Sequence, residues 1–179
     1  MKPLILGAVI GAGSNAASLH HFLAQAQAAG CATHSLGTAV APSRLIDGIA
    51  HMQPSIVALS YRNTPEIAAQ LFDEIRALIR ERGLTDPRFI LGGSPPVLKV
   101  ARASGMFERT FDGTESPAEI DAYLRAFIHS EERRTAPAQT LIARIDQQAP
   151  YPLLRHRFGL PSLRDTIAGA RRIAEAGVL

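Results

Sequence analysis

The stretch PLILGAVI at positions 3–10, followed by GAGS at 11–14, decides how the rest of the chain is read. A run this apolar is a strand covered on both faces, and such strands belong to parallel sheets whose crossovers are helices. The glycine-bearing turn then leads into an Ala- and Leu-rich helix over 15–29, and Gly30 stands where helices favour a left-handed cap. Strand, turn and helix in that order form the repeating unit of a doubly wound fold.

The unit recurs along the chain. CATHSL at 31–36 is a more polar strand, placed nearer an edge, and a loop from Gly37 leads to a helix over 43–52 that Pro54 ends. SIVALS at 55–60 reads as a central strand. Tyr61-Arg62-Asn63 follow it, then a helix over 64–82 with Thr64 as N-cap and Pro65 at the first helical position. A short fourth strand spans 88–91. The stretch GGSPP at 92–96 reads as irregular, and a short helix follows over 98–104. A fifth strand spans 109–111. Ser116 and Glu119, in capping-box spacing, open a last helix that runs to about His129. The expected fold is therefore α/β: a flavodoxin-like, Rossmann-like doubly wound sheet of five parallel strands, followed by a helical or irregular C-terminal extension.

The 179 residues, 46% hydrophobic and 20% charged, suit one globular domain with a tail and exclude a chain disordered throughout. The domain is expected over 1–129. SEERRTAP at 130–137 reads as a linker or helix end, short apolar pieces follow at 141–143 and 151–154, and Ser162 caps a helix over 163–176. Val178-Leu179 resemble the first step of another strand, so a chain that stops there is expected to be a piece of a longer protein or one that has lost a following βα module.

Charge divides along the same boundary. The net charge is +3 and the sequence pI is near 9.5. Residues 1–129 hold 11 basic and 11 acidic side chains, while 130–179 hold 8 and 5. A neutral body offers no basic face to a phosphate backbone, so nucleic acid is not an expected partner. No apolar run approaches the ~20 residues of a bilayer span, and no membrane association is expected. The single cysteine, Cys31, forms no internal disulfide and reads as a small buried thiol at a strand start; with no leader pattern, the expected location is the cytoplasm.

Ligands of doubly wound sheets bind beyond the carboxyl ends of the strands. Four loops fall there: 11–15, 60–64, 92–96 and 112–114. All are small, polar or glycine-rich, and together they form a surface that brings a large ligand close to backbone amides. The first also fits the dinucleotide fingerprint G-x-G-x-x-G/A over 11–16, but the second strand ends in Thr33, His34, Ser35 and Leu36 rather than the acid that would hold a ribose.

Taken as a set, the strand followed by GAGS, then LSYRNTP, ILGGSPP and FDGT, resembles the cobalamin-binding domain of corrinoid methyltransferases and adenosylcobalamin-dependent mutases over about residues 3–128. The resemblance implies a cobalamin cofactor, in its methyl or adenosyl form, with Gly13, Ser14, Asn15, Ser60, Tyr61, Thr64, Gly92, Gly93, Ser94, Gly113 and Thr114 lining its site. In that family the first loop reads D-x-H-x-x-G, and its His ligates cobalt from below. Here Ala12, Ser14 and Ala17 stand at the Asp, His and Gly. Neither Ser nor Ala replaces an imidazole backed by a carboxylate, so a corrinoid is expected to bind without protein histidine ligation.

No metal ligand or catalytic residue is assigned. His20 and His21, adjacent on the first helix, point about 100° apart and read as surface or interhelical groups. His34 ends the second strand as a better pocket candidate, and His51 and His129 sit near helix ends. Arg155, His156 and Arg157 lie among aromatics and read as solvated linker cations rather than an anion clamp. The stretch 155–179 also resembles the start of a TIM-barrel module.

The function expected from all this is a cobalamin-binding protein or subunit that presents its cofactor to a partner methyltransferase or mutase of TIM-barrel type, with homodimerisation open. The alternatives are an NAD(P)- or flavin-binding α/β protein, a degenerate regulatory or scaffold domain, and a flavodoxin-shaped sensor, for which Asp112 offers thin support.

Overall fold

The computed structural model describes residues 2–12, 16–84 and 88–135. The chain divides into two compact units, 1–129 and 130–179, and of the second only the end of one helix is described. The readings placed on 136–179 lie outside the described residues.

Among the described residues ten elements alternate: β1 (Leu4–Val9), α1 (Ala17–Ala28), β2 (Ala32–Ser35), α2 (Pro42–Met52), β3 (Ile56–Tyr61), α3 (Pro65–Glu81), β4 (Arg88–Gly93), α4 (Pro95–Ser104), β5 (Phe107–Phe111) and α5 (Pro117–Thr135). The five strands pair in parallel in the order β2-β1-β3-β4-β5, so the fold is the flavodoxin-like α/β sandwich expected. β3 is buried along its whole length, whereas β2 and β5 are the partly exposed edges.

Side chains leave a strand alternately to either face, and two cores result. On one face Leu6, Ile10, Leu59, Tyr61 and Leu91 pack with α2, α3 and α4 through Leu45, Ile46, Phe72, Ile75 and Leu98. On the other, Ile5, Val9, Ile56, Ala58 and Ile90 pack with α1 and α5 through Leu19, Phe22, Leu23, Leu124 and Phe127. Cys31 is buried in this second core, and that burial pushes its thiol up from the ordinary range, as suits a packing residue.

Local chemistry explains most boundaries. Gly30 takes the left-handed conformation after α1 at φ 107°. Ser116 and Glu119 form a reciprocal capping box: Ser116 N–H donates to Glu119 Oε2 at 2.7 Å, and Glu119 N–H to Ser116 Oγ at 3.3 Å. Thr64 stands at the N-cap of α3 with extended backbone, but its side chain makes no capping hydrogen bond.

Three expectations are corrected. Gly92 and Gly93 are strand rather than irregular loop, because β3 pairs with them, Ser60 opposite Gly92 and Tyr61 opposite Gly93. Pro95 and Pro96 open α4, where the first-turn amides have no intrahelical acceptor and proline costs nothing. The last helix continues past His129 to Thr135, and an Arg134–Glu131 ion pair at 2.8 Å supports that end.

Candidate ligand-binding site

At the carboxyl ends of β3, β4 and β5, on the α1/α5 face, the sheet opens into a cleft of about 440 Å³. Ala58, Ser60, Ile90 and Gly92 form its floor. Ala17, Ser18, His21 and Phe22 of α1 form one wall; Phe111, Pro117 and Ile120 the other; Arg62, Gly113 and Glu115 stand at the rim. The volume and the mostly apolar lining with a few polar groups are those of a small-molecule site.

The cleft exists because small residues fill the alternate positions that face it. Ser60 and Gly92 end the series Ile56, Ala58, Ser60 and Ile90, Gly92, whose earlier members belong to the α1/α5 core. A Cβ added at Gly92 would meet nothing closer than the Leu59 carbonyl oxygen at 3.9 Å, so this glycine leaves open space. Ser60 is only 5% exposed. With Glu131 it is one of the two buried polar or charged residues among those described, and it lines the cleft.

Tyr61 and Gly93 face the other way. Tyr61 is buried against the α2/α3/α4 core with its hydroxyl unpartnered. A Cβ at Gly93 would stand 2.8 Å from the Tyr61 carbonyl oxygen and 3.1 Å from Leu98 Cδ2, so its missing side chain serves packing. Thr64 and Ser94 are the N-cap residues of α3 and α4 and do not line the cleft. Thr114 donates through both its backbone N–H, at 2.9 Å, and its hydroxyl, at 2.6 Å, to Asp112 Oδ1, which holds that carboxyl below its usual range. The structure thus brings Ser60, Gly92 and Gly113 together and places Tyr61, Thr64, Gly93, Ser94 and Thr114 elsewhere. Gly13, Ser14 and Asn15 lie outside the described residues.

Other lining residues went unread in the sequence. His21, read as a surface or interhelical group, is exposed and lines the cleft wall with Ser18 and Phe22, three residues before and one after it. Glu115 accepts the backbone N–H groups of Asp112 at 3.1 Å and Gly113 at 3.0 Å, which ties down a loop whose Gly113 has φ 93°. Arg62 crosses the rim: its Nη2 donates to Ser18 Oγ at 3.5 Å, and the same atom would lie 3.4 Å from a Cβ at Gly113. Spacing of Ser18 and Phe22 by a helical turn was the one available signal for the α1 wall.

Outside the cleft, the α5 face carries a polar clasp. Arg88 Nη2 donates to Glu108 Oε1 at 2.9 Å and Tyr123 Oη to the same oxygen at 3.3 Å. The Arg88 guanidinium holds the Glu108 carboxyl below its usual range, and burial pushes the Tyr123 phenol up. Among the described residues no group of three or more His, Cys, Asp and Glu is placed to hold a metal ion, and no helix is long and apolar enough to cross a membrane.

No family model and no curated protein matches the chain. Solved structures do. A cobalamin-binding protein from Desulfitobacterium hafniense DCB-2 superposes with a TM-score of 0.58 at 20% identity, covering 71% of this chain and 60% of that one. The methanol:cobalamin methyltransferase complex MtaBC from Methanosarcina barkeri gives 0.56 at 14% identity, covering 75% and 52%. The chain therefore spans less than two thirds of the length of these cobalamin proteins. The signal receiver domain of a Luxo repressor protein from Vibrio parahaemolyticus gives 0.52 at 8% identity, covering 76% and 100%. At such identities the likeness establishes the flavodoxin-like fold, which cobalamin proteins and receiver domains share.

Proposed function

We propose that the domain binds a corrinoid, with the nucleotide tail of the cofactor in the cleft, and presents it to a separate catalytic module. The observation that carries this reading is the floor of the cleft, where buried Ser60 lies beside the open position at Gly92. A hydroxyl held there donates to a ligand oxygen or nitrogen. Phe22, Phe111, Ile90 and Ile120 accept the flat apolar surface of a nucleotide base. Gly113 lets a sugar and phosphate approach the backbone. The resemblance of the loop sequences and the cobalamin-binding neighbours support the same reading.

When bound, a corrinoid supplies cobalt–carbon chemistry, methyl transfer or radical rearrangement, that no protein side chain performs. The protein's share is to seat the tail, exclude water from the cleft and leave the corrin face open to a partner. With Ser14 at the position where the resembled family carries its ligand histidine, cobalt in this reading takes no protein imidazole. The catalytic partner, of TIM-barrel type in this reading, corresponds to the methyltransferase of the MtaBC complex.

Titrating the purified chain with hydroxocobalamin and following the visible spectrum tests the proposal. Retention of the corrinoid through desalting is the expected result, and a Ser60→Ala chain is expected to retain it several-fold less tightly with unchanged thermal stability. A chain that releases all corrinoid on desalting, or that binds a nicotinamide or flavin dinucleotide instead, overturns it.

A further inference from the structure

Arg62 is a feature of the cleft that seating an apolar base does not explain. It follows β3 immediately, its side chain is exposed at the mouth, and it forms no ion pair among the described residues. Two other arginines have acceptors of better quality: Arg88, at the start of β4, pairs with Glu108, and Arg102 of α4 donates from Nε to Thr110 Oγ1 at 3.1 Å. The contact that Arg62 makes to Ser18, at 3.5 Å, lies at the outer limit of a hydrogen bond. Glu115 shares the rim, where its two oxygens accept the amides of Asp112 and Gly113.

A guanidinium in that position is a strong binder without a strong acceptor. It lies between the α1 wall and the Gly113 loop, where the cleft changes from apolar floor to polar mouth. A planar fork of N–H donors matches the oxygens of a phosphate group better than any other common ligand group except a carboxylate. The polarity gradient calls for a ligand with an aromatic base inside and an anion at the rim.

We propose that Arg62 is a specificity-determining residue that pairs with a phosphodiester of the bound ligand. The proposal rests on the corrinoid reading above, in which that group is the phosphate joining the nucleotide tail to the corrin side chain. Its consequence is selection: the domain takes corrinoids that carry the complete tail over those that lack it. The Arg62 guanidinium lies against Ser18 at 3.5 Å, a contact weak enough to be exchanged.

The test compares hydroxocobalamin with diaquacobinamide, which has no phosphate or nucleotide, on the full chain and on Arg62→Met and Arg62→Lys, with dissociation constants taken from absorbance titrations. The full chain is expected to prefer cobalamin. Arg62→Met is expected to weaken cobalamin about 10- to 100-fold, the range for a hydrogen bond to a charged group, and to leave cobinamide unchanged. Arg62→Lys retains the charge without the fork and is expected to fall between. Cobalamin binding by Arg62→Met at the level of the full chain overturns the role of Arg62 and leaves the corrinoid reading standing; so does an equal loss for both corrinoids. Failure of the unaltered chain to bind either corrinoid overturns the corrinoid reading and this inference with it.

Discussion

The two faces of the sheet are built from the same strands and differ in what the last residue of each strand contributes. Toward α2, α3 and α4, β3 ends in Tyr61 and β4 in Gly93, and the glycine lies so close to the Tyr61 carbonyl oxygen and Leu98 that no room is left for a side chain. Toward α1 and α5, the residues one position earlier are Ser60 and Gly92, and a cleft remains. A single peptide step therefore separates a packing role from a pocket-lining role. The comparison teaches that small residues in this fold do two opposite jobs: Gly93 removes a clash, and Gly92 leaves a space.

Substitutions in matched pairs sharpen this contrast. Phe72 is buried in the closed face, edge-on to Phe107 at 4.8 Å between centroids. Phe72→Ala is expected to cost about 3–5 kcal/mol in urea unfolding. Phe22→Ala, on the cleft wall where one side already meets the pocket, is expected to cost clearly less; an equal cost would break the distinction between a filled and an open face. Gly93→Ala places a methyl against the Tyr61 carbonyl and is expected to lose about 1–3 kcal/mol, whereas Gly92→Ala keeps its stability. Reversal of that order by thermal melting would refute the assignment of faces.

The orphan Tyr61 hydroxyl provides a smaller test. Tyr61→Phe removes a buried, unpartnered donor from the closed face and is expected to gain about 1 kcal/mol, because the group had been desolvated without a partner. A loss on that substitution would mean that the hydroxyl has a partner after all. The smallest effect concerns pH. The folded pKa of Glu108 is lowered by Arg88, so its pairing stabilises the protein above the unfolded carboxylate value and is lost as pH falls through the lowered one. Both partners are about a third exposed, which limits the contribution to about 0.2–1 kcal/mol. Urea unfolding between pH 7 and pH 3 is expected to be correspondingly less steep in pH for Glu108→Gln than for the unaltered chain.

The architecture was legible in the sequence because its determinants are local: apolar runs of strand length, Gly30, the Pro65 start and the Ser116/Glu119 box each act within a few residues. The region of the site was legible for the same reason, since strand ends mark it. Which residues face the cleft was not. β3 is buried on both sides, so Ile56 to Tyr61 carry no alternation from which to assign Ser60 and Tyr61 to opposite faces. The fourth strand extends through Gly92 and Gly93 because its neighbours pair with it, a tertiary effect that glycine's own preference conceals. Arg62, His21 and Glu115 come together from a strand end, a helix face and a loop, and no spacing in the chain announces that meeting.

The polar character of the sheet's two outer strands bears on how the molecule survives in a crowded solution. β2 is only four residues long and ends in exposed His34 and Ser35, and β5 interrupts its apolar residues with Glu108 and Arg109. A parallel sheet left open at both margins presents unpaired backbone groups to any passing extended chain. Shortness at one margin and charge at the other make each a poor template for adding a further strand, so the domain resists edge-to-edge aggregation without closing its sheet into a barrel.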